Sequence, residues 1–391
     1  MPGPSHKTHT GSQDLFDVVR PLGRGNADVW EVQQAGRPGQ TYARKSIKLD
    51  PTVDRRKMEM IMSEIDIMKR LRHIHVIRFR GSYEWKLLSN YSIYNLLMSP
   101  VAKTDLENHL MKLDNMENGD RDRLLTSRMM RPWPACLFRA LAYVHFMNIR
   151  HKDIKPANIL IDNNNTVLLT DFNISNDFDE LTTSKTMGPA RATWLYASPE
   201  VTREEPRGRA ADLWSLGCVM LEICAVWSGE KLSLRSLRDH IRDGRNTTAQ
   251  PPYCDAQFKL WDWMLLNLRS QPRDAEMTGF IFKILQLSFL MLDPDPVKRI
   301  NSQQLVDMLI DPRYEDFHDV GDFACSTCAS TAGTPRLDQP LHSMFKKLNN
   351  GQTPIPLKFG LSAGMDACDI WEELKRRWLQ EHIWWTDDNF F

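Results

Sequence analysis

The chain has 391 residues, 42% of them hydrophobic, with 50 basic and 50 acidic side chains. That length exceeds one small domain and fits a two-lobed domain with extensions, and the apolar share suffices for a sizeable core. Zero formal net charge offers no electrostatic footprint for nucleic acid or an anionic membrane, so neither is expected as a partner.

Met1 to Gln13 is rich in Gly, Ser, Pro and His. It reads as a disordered N-terminus, residues 1–13, without the apolar core of a signal peptide. From Leu15 to about Ile47, short apolar runs broken by Gly-rich turns predict antiparallel strands. Arg55 to Arg72 is helical by spacing, with Met58, Ile61, Met62, Ile65, Met68 and Leu71 on one side. Val76–Tyr83 and Tyr91–Met98 read as further strands. Leu106–Leu113 reads as a short helix, Asp114–Arg131 as a charged connector, and Pro134–Met147 as an apolar helix. Past Asp212 the pattern is mostly helical through about Leu309. Strands first and helices after imply an α+β fold, a small sheet lobe on a larger helical lobe. No apolar run approaches the roughly 20 residues that span a bilayer. An intracellular, soluble protein of cytoplasm or nucleus is expected. The seven cysteines are odd in number and mostly scattered, which speaks against a disulfide framework. Cys325 and Cys328 have metal-knuckle spacing, but no second Cys/His pair with suitable spacing follows, so two free thiols are expected rather than a zinc site. Residues 340–391 carry several tryptophans (Trp371, Trp378, Trp384, Trp385), fit either for packing on the helical lobe or for binding a partner.

The chemistry concentrates in Arg150-His151-Lys152-Asp153-Ile154-Lys155-Pro156-Ala157-Asn158, followed by Asp171-Phe172-Asn173 after an apolar hairpin. One carboxylate, one ammonium and one amide share a short loop, and a second carboxylate follows. Phosphoryl transfer from ATP needs such a set: a group that orients the attacking hydroxyl, a cation for the transferred phosphate, and oxygen ligands for Mg²⁺. The stretch resembles the catalytic loop and metal-binding motif of eukaryotic protein kinases, Ser/Thr type by the lysine two residues after the aspartate. The resemblance spans about Leu15 to Leu309.

It implies a bilobal protein-kinase-like fold over residues 14–310, with an N-lobe of about 14–98, a C-lobe of about 102–310 and a C-terminal extension, 311–391, of unknown role. It further implies ATP and Mg²⁺ as cofactors and a protein Ser/Thr hydroxyl as acceptor. Asp153 would orient that hydroxyl, Lys155 would neutralise the γ-phosphate, and Asn158 and Asp171 would ligate Mg²⁺. Leu22-Gly23-Arg24-Gly25-Asn26-Ala27-Asp28-Val29 resembles the Gly-rich loop over the phosphates. Counted strictly, Asp28 falls on the third glycine and Trp30 on the valine. A one-residue deletion puts Ala27 and Val29 there instead. The second is preferred, because Val29 then packs on adenine and no acid faces the triphosphate. Tyr42-Ala43-Arg44-Lys45 resembles the strand of the phosphate-gripping lysine, with Ala43 beside adenine, Lys45 on the α- and β-phosphates and Glu64 as the partner of Lys45. In the strand and hinge, Met98 would flank adenine, Val101 would offer it backbone groups, and Asp105 would reach the ribose. Thr193, near the end of the activation segment, would contact Asp153 and Lys155. Asp212 would hold the catalytic-loop backbone, and Arg299 would pair with Glu200.

Three departures stand out. Asn173 replaces the Gly of D-F-G, Lys152 replaces the Arg of H-R-D, and the Gly-rich loop is worn. They keep an alternative open: a pseudokinase that senses nucleotide or binds a partner through the helical lobe or tail. Thr182, Thr183, Ser184 and Thr186 lie where phosphorylation would act, although Lys152 lacks the bidentate fork of arginine.

Overall fold

The computed structural model describes residues 6–10, 14–24, 28–34, 39–49, 55–86, 92–117, 121–172, 194–206, 208–228, 233–242, 251–257, 259–260, 262–263, 275–310, 320 and 324–329. The arrangement is the α+β, two-lobed one expected. Strands β2 (Phe16–Arg24), β3 (Asp28–Gln34), β4 (Thr41–Leu49), β5 (Arg78–Lys86) and β6 (Ser92–Ser99) pair antiparallel in the order β5-β6-β4-β3-β2. Strand β1 (His6–Thr10) adds to the outer side of β5 in parallel, His6 opposite Ser82. That corrects the expectation of disorder for this part of residues 1–13. Without it, the main-chain groups along that side of β5 would form an open edge. Residues 1–5 and 11–13 lie outside the described set.

Sequence alternation divides this sheet into two faces. Val32, Tyr83 and Leu97 pack on one side with Phe16, Trp30 and Tyr42. Ala43, Leu96, Met98, Phe79 and Tyr94 pack on the other, against helix α1 (Arg55–Arg70), whose Ile61, Ile65 and Met68 are buried. The apolar stripe of α1 therefore meets the sheet face that bears Lys45, and Glu64, on the same side of the helix, is carried there with it.

The larger lobe is built around helix α6 (Ala210–Ser228), in which almost every side chain from Leu213 to Trp227 is buried. By length and composition this helix could cross a membrane, but 83% of its apolar window is buried inside the protein, as in a core helix. Gly217 has a packing reason. A Cβ there would lie 3.0 Å from Met291 Cβ and 3.1 Å from Leu292, at the end of helix α8 (Ala275–Met291), so the two helices approach too closely for a larger residue. Around them lie α2 (Leu106–Asp114), α4 (Trp133–Phe146), α5 (Pro199–Thr202), α7 (Leu234–Arg242) and α9 (Ser302–Met308). The charged connector Asp114–Arg131 contains helix α3 (Arg121–Met129). Its buried Arg123 donates to Leu113 O and Met116 O, both at 2.7 Å, and to Val226 O at 2.9 Å. A charged side chain of α3 thus satisfies carbonyls at the end of α2. Beyond Ile310, Val320, Ala324 and Cys328 join the same core. The tryptophans of 371–385 lie outside the described residues.

Candidate functional site

The site forms where a short hairpin meets the sheet lobe. Strands β7 (Ile159–Ile161) and β8 (Val167–Leu169) pair with Ile159 opposite Leu169, and Thr170 N–H donates to Asn158 O at 3.1 Å. The hairpin thus delivers Asn158 and Asp171 to the same end. Ile77 N–H donates to Leu169 O, and Leu169 N–H donates to His75 O, both at 2.9 Å, tying the hairpin to the chain just before β5.

Lys45 Nζ lies 2.5 Å from Asp171 Oδ1 and 3.5 Å from Glu64 Oε1. One ammonium serves two carboxylates, and the titrations follow the distances. Burial alone would push the Asp171 carboxyl up, but Lys45 beside it holds it below the usual range. At Glu64 burial wins over the more distant Lys45, and the nearby Asp171 charge adds to it, so this carboxyl is raised. Burial would lower the Lys45 ammonium, yet Asp171 and Glu64 together raise it. Asp171 keeps 36% of its side chain exposed and Glu64 only 5%. Asp171 also sits at φ +57°, a left-handed conformation that Asp and Asn tolerate better than most residues.

The loop carboxylate, Asp153, is buried. Its Oδ2 accepts from Lys155 Nζ at 2.9 Å and from Asn158 Nδ2 at 2.7 Å, and Asn158 Nδ2 also donates to Asp153 O at 2.8 Å. With the amide nitrogen turned to Asp153, the carbonyl oxygen of Asn158 is the end left to face a cation. The loop is held from behind by Asp212. Its Oδ2 accepts from His151 N–H at 2.8 Å and bonds His145 Nε2 at 2.9 Å, and its Oδ1 accepts from Lys152 N–H at 2.8 Å. Lys152 is at φ +68°, so this anchor fixes an uncommon backbone conformation. The His151 and Phe172 rings pack with centroids 4.8 Å apart, and burial lowers the His151 pKa. Arg299 makes a bidentate pair with Glu200, at 2.7 and 3.0 Å, and lies 5.2 Å from the Trp214 ring centroid.

Strand register places the remaining candidates. Opposed residues of an antiparallel pair share a face. Val29 opposes both Gly23 and Lys45, Ala43 opposes Met98, and all of these lie on the α1 side, whereas Trp30 packs with Val32 on the other side. Val29, not Trp30, therefore belongs with the lysine. The backbone of Gly23 is open: a Cβ there would meet nothing within 4 Å. Val101 is half-buried just after Ser99-Pro100. Asp105 stands at the start of helix α2. Its Oδ1 accepts from Asn108 N–H at 2.8 Å and its Oδ2 from Asn108 Nδ2 at 2.6 Å, so the carboxylate caps helix α2. Gly25, Ala27, Asn173, the segment from Thr182 to Thr186, and Thr193 lie outside the described residues. Sequence reasoning missed His145, which links Asp212 to Ser302 through its two ring nitrogens, both contacts 2.9 Å. A lone histidine in an apolar helix carries no signal of that.

The chain matches the protein kinase domain over residues 16–309, and it belongs to that family. Similar proteins include the serine/threonine-protein kinase AtPK1/AtPK6 of Arabidopsis thaliana, 28% identical over 235 residues, which are 59% of this chain and 47% of that protein. The serine/threonine-protein kinase Sgk2 of Mus musculus is 30% identical over 224 residues, 56% of each chain. The G2-specific protein kinase fin1 of Schizosaccharomyces pombe is 26% identical over 272 residues, 64% of this chain and 34% of that protein. The chain spans between about a third and just over half the length of these relatives.

Proposed function

We propose that the protein is a serine/threonine kinase that transfers the γ-phosphate of ATP to a protein hydroxyl with Mg²⁺. The observation that carries this is the pair of polar clusters at the ends of one hairpin, in which Lys45 meets Asp171 and Glu64 while Asp153 meets Lys155 and Asn158. The donor set fits the metal: a partly exposed carboxylate and an amide oxygen are hard oxygen ligands of the kind Mg²⁺ takes. Asp171 and Asn158 would hold it, and it would supply positive charge to offset that of the phosphates.

The chain's own residues do the rest. Lys45, oriented by Glu64, grips the α- and β-phosphates. Gly23 leaves room for close approach of the nucleotide, and Val29, Ala43, Met98 and Val101 enclose the adenine. Asp153 accepts the hydrogen bond of the substrate hydroxyl and takes its proton. The hydroxyl oxygen bonds to the γ-phosphorus as the bond to the β,γ-bridging oxygen breaks, and ADP leaves. Lys155, held on Asp153, offsets charge on the moving phosphoryl group. A serine or threonine acceptor is favoured by Lys155 standing two residues after Asp153 and by the names of the relatives.

The test is transfer of labelled phosphate from ATP and Mg²⁺ to generic protein substrates, beside Asp171→Ala. Label from the parent alone is expected. Equal label from both would refute the assignment, and no label with an ATP- and Mg²⁺-dependent thermal shift would favour the nucleotide-sensing pseudokinase.

A further inference from the structure

Among the described residues, one cluster of metal-ligating side chains lies apart from the cleft: His75, Cys136, Cys325 and Cys328. They come from three places. His75 follows helix α1, Cys136 is in α4, and the other two belong to the short helix Ser326–Ala329 and the residue before it. The ligand atoms, one imidazole nitrogen and three sulfurs, all lie within 4.8 Å of one another. His75 Nε2 is 3.2 Å from Cys325 Sγ, and Cys325 N–H donates to Cys136 Sγ at 3.4 Å. Three of the four residues are buried.

We propose that these four residues form a Cys₃His zinc site that clasps the C-terminal extension onto the rear of the Asp171 hairpin. The size is right. A tetrahedral zinc with Zn–S bonds of about 2.3 Å has sulfur–sulfur edges of about 3.8 Å, so the longest edge needs to close by only about 1 Å. The histidine is already set as a ligand. Its Nδ1 lies 2.7 Å from Val167 O and donates to it, which leaves the Nε2 lone pair turned toward the sulfurs. A ligating imidazole is commonly oriented in this way by a carbonyl on its other nitrogen. Charge is provided for as well. Three thiolates and Zn²⁺ sum to one negative charge. Buried Arg139, one turn along α4 from Cys136, donates to the Cys328 carbonyl and brings a positive charge to the site. Thiolate sulfur selects zinc over the hard cations suited to the cleft. Four protein ligands leave no open position, so the site is structural rather than catalytic.

The missing half of the Cys325-x-x-Cys328 knuckle thus comes from within the kinase domain, far away in sequence. The same hairpin that accepts from His75 Nδ1 ends at Asp171. Metal at this point would brace the hairpin from behind, independently of whether the cleft transfers phosphate.

The test uses the full chain, prepared without chelator in zinc-containing medium. Metal analysis is expected to find one zinc per chain in the parent and a loss of it in Cys325→Ser, the most exposed of the four positions. Cobalt added to metal-stripped parent protein is expected to give the thiolate charge-transfer and tetrahedral ligand-field bands. That readout needs no variant and no activity. Equal zinc in the parent and Cys325→Ser, or absence of those cobalt bands, would overturn the assignment. So would a cysteine–cysteine bond found by mass spectrometry of freshly isolated, unreduced protein.

Discussion

Asp171 and Asp212 both act electrostatically on His151, and both have lowered pKa values, but they are served differently. Asp212 is 2% exposed and is met by two backbone N–H groups and His145. Asp171 shares a single lysine with Glu64, keeps a third of its side chain open and holds a left-handed backbone. A carboxylate with its acceptors filled fixes a loop and has little left to offer a ligand. A carboxylate with capacity to spare, beside a cation shared by two carboxylates, still has acceptors to offer a ligand. The contrast separates scaffold from chemistry more cleanly than burial does, since Asp153 and Glu64 are about as buried as Asp212.

That contrast can be broken on either side. On the chemical side, Asp153→Ala is expected to lower turnover about 100- to 10,000-fold, the usual worth of a positioned base. Nucleotide binding, followed by an ATP-dependent thermal shift, should be retained, because Lys45 and Asp171 are untouched. Unchanged turnover would remove Asp153 from the mechanism. On the scaffold side, Arg299→Ala leaves Glu200 buried without its bidentate partner and also removes the bonds to Ala210 O and Asp293 O. Removing one member of a buried pair costs about 3–5 kcal/mol. A drop of that size in urea-unfolding free energy is expected. A much smaller one would show that the pair is dispensable and that the larger lobe is held by its apolar core.

Contiguity decided what could be read from the chain beforehand. Asp153, Lys155 and Asn158 lie within six residues and Asp171 follows one hairpin later, so their spacing alone displays a reaction. Glu64 was legible because the apolar period of its helix fixes which side faces the sheet. The Gly-rich loop was ambiguous by one residue, since motif counting has no notion of sheet face; the register puts Val29 opposite Lys45, on the face that bears the lysine. The capping role of Asp105 was not legible, because a carboxylate at the start of a helix looks the same in sequence whether or not it caps that helix. His6–Thr10 was missed because pairing to β5 uses main-chain groups and leaves no trace in side-chain type. The His75–Cys136–Cys325–Cys328 cluster was illegible because its halves are some 190–250 residues apart, and only the packing of the extension against α4 joins them.

Acid provides the last and smallest way to sharpen the comparison. At Asp212 burial would raise the carboxyl, but the hydrogen bond and charge of His145 and the His151 contacts hold it below its ordinary 3.8. Glu200 is likewise held below 4.5 by Arg299 against the effect of burial. Between those lowered values and the ordinary ones, the unfolded chain binds more protons than the folded one, so stability rises with pH and is lost as the solution is acidified through the window. Glu64 carries the opposite sign. Its pKa is raised, so its contribution is full below the ordinary value and is lost as pH rises through the folded value. Unfolding midpoints measured from pH 7 downward should therefore fall below about pH 4.5 in the parent. They should start lower and fall less steeply in Asp212→Asn, in which an amide cannot accept from both His151 and Lys152 N–H groups. Glu64→Gln should remove the opposing part and leave stability at pH 7 equal to or above that of the parent, while turnover drops because Lys45 is no longer positioned. If Asp212→Asn kept the full acid slope, the scaffold carboxylates would not be the groups that take up protons, and the cleft would have to supply them.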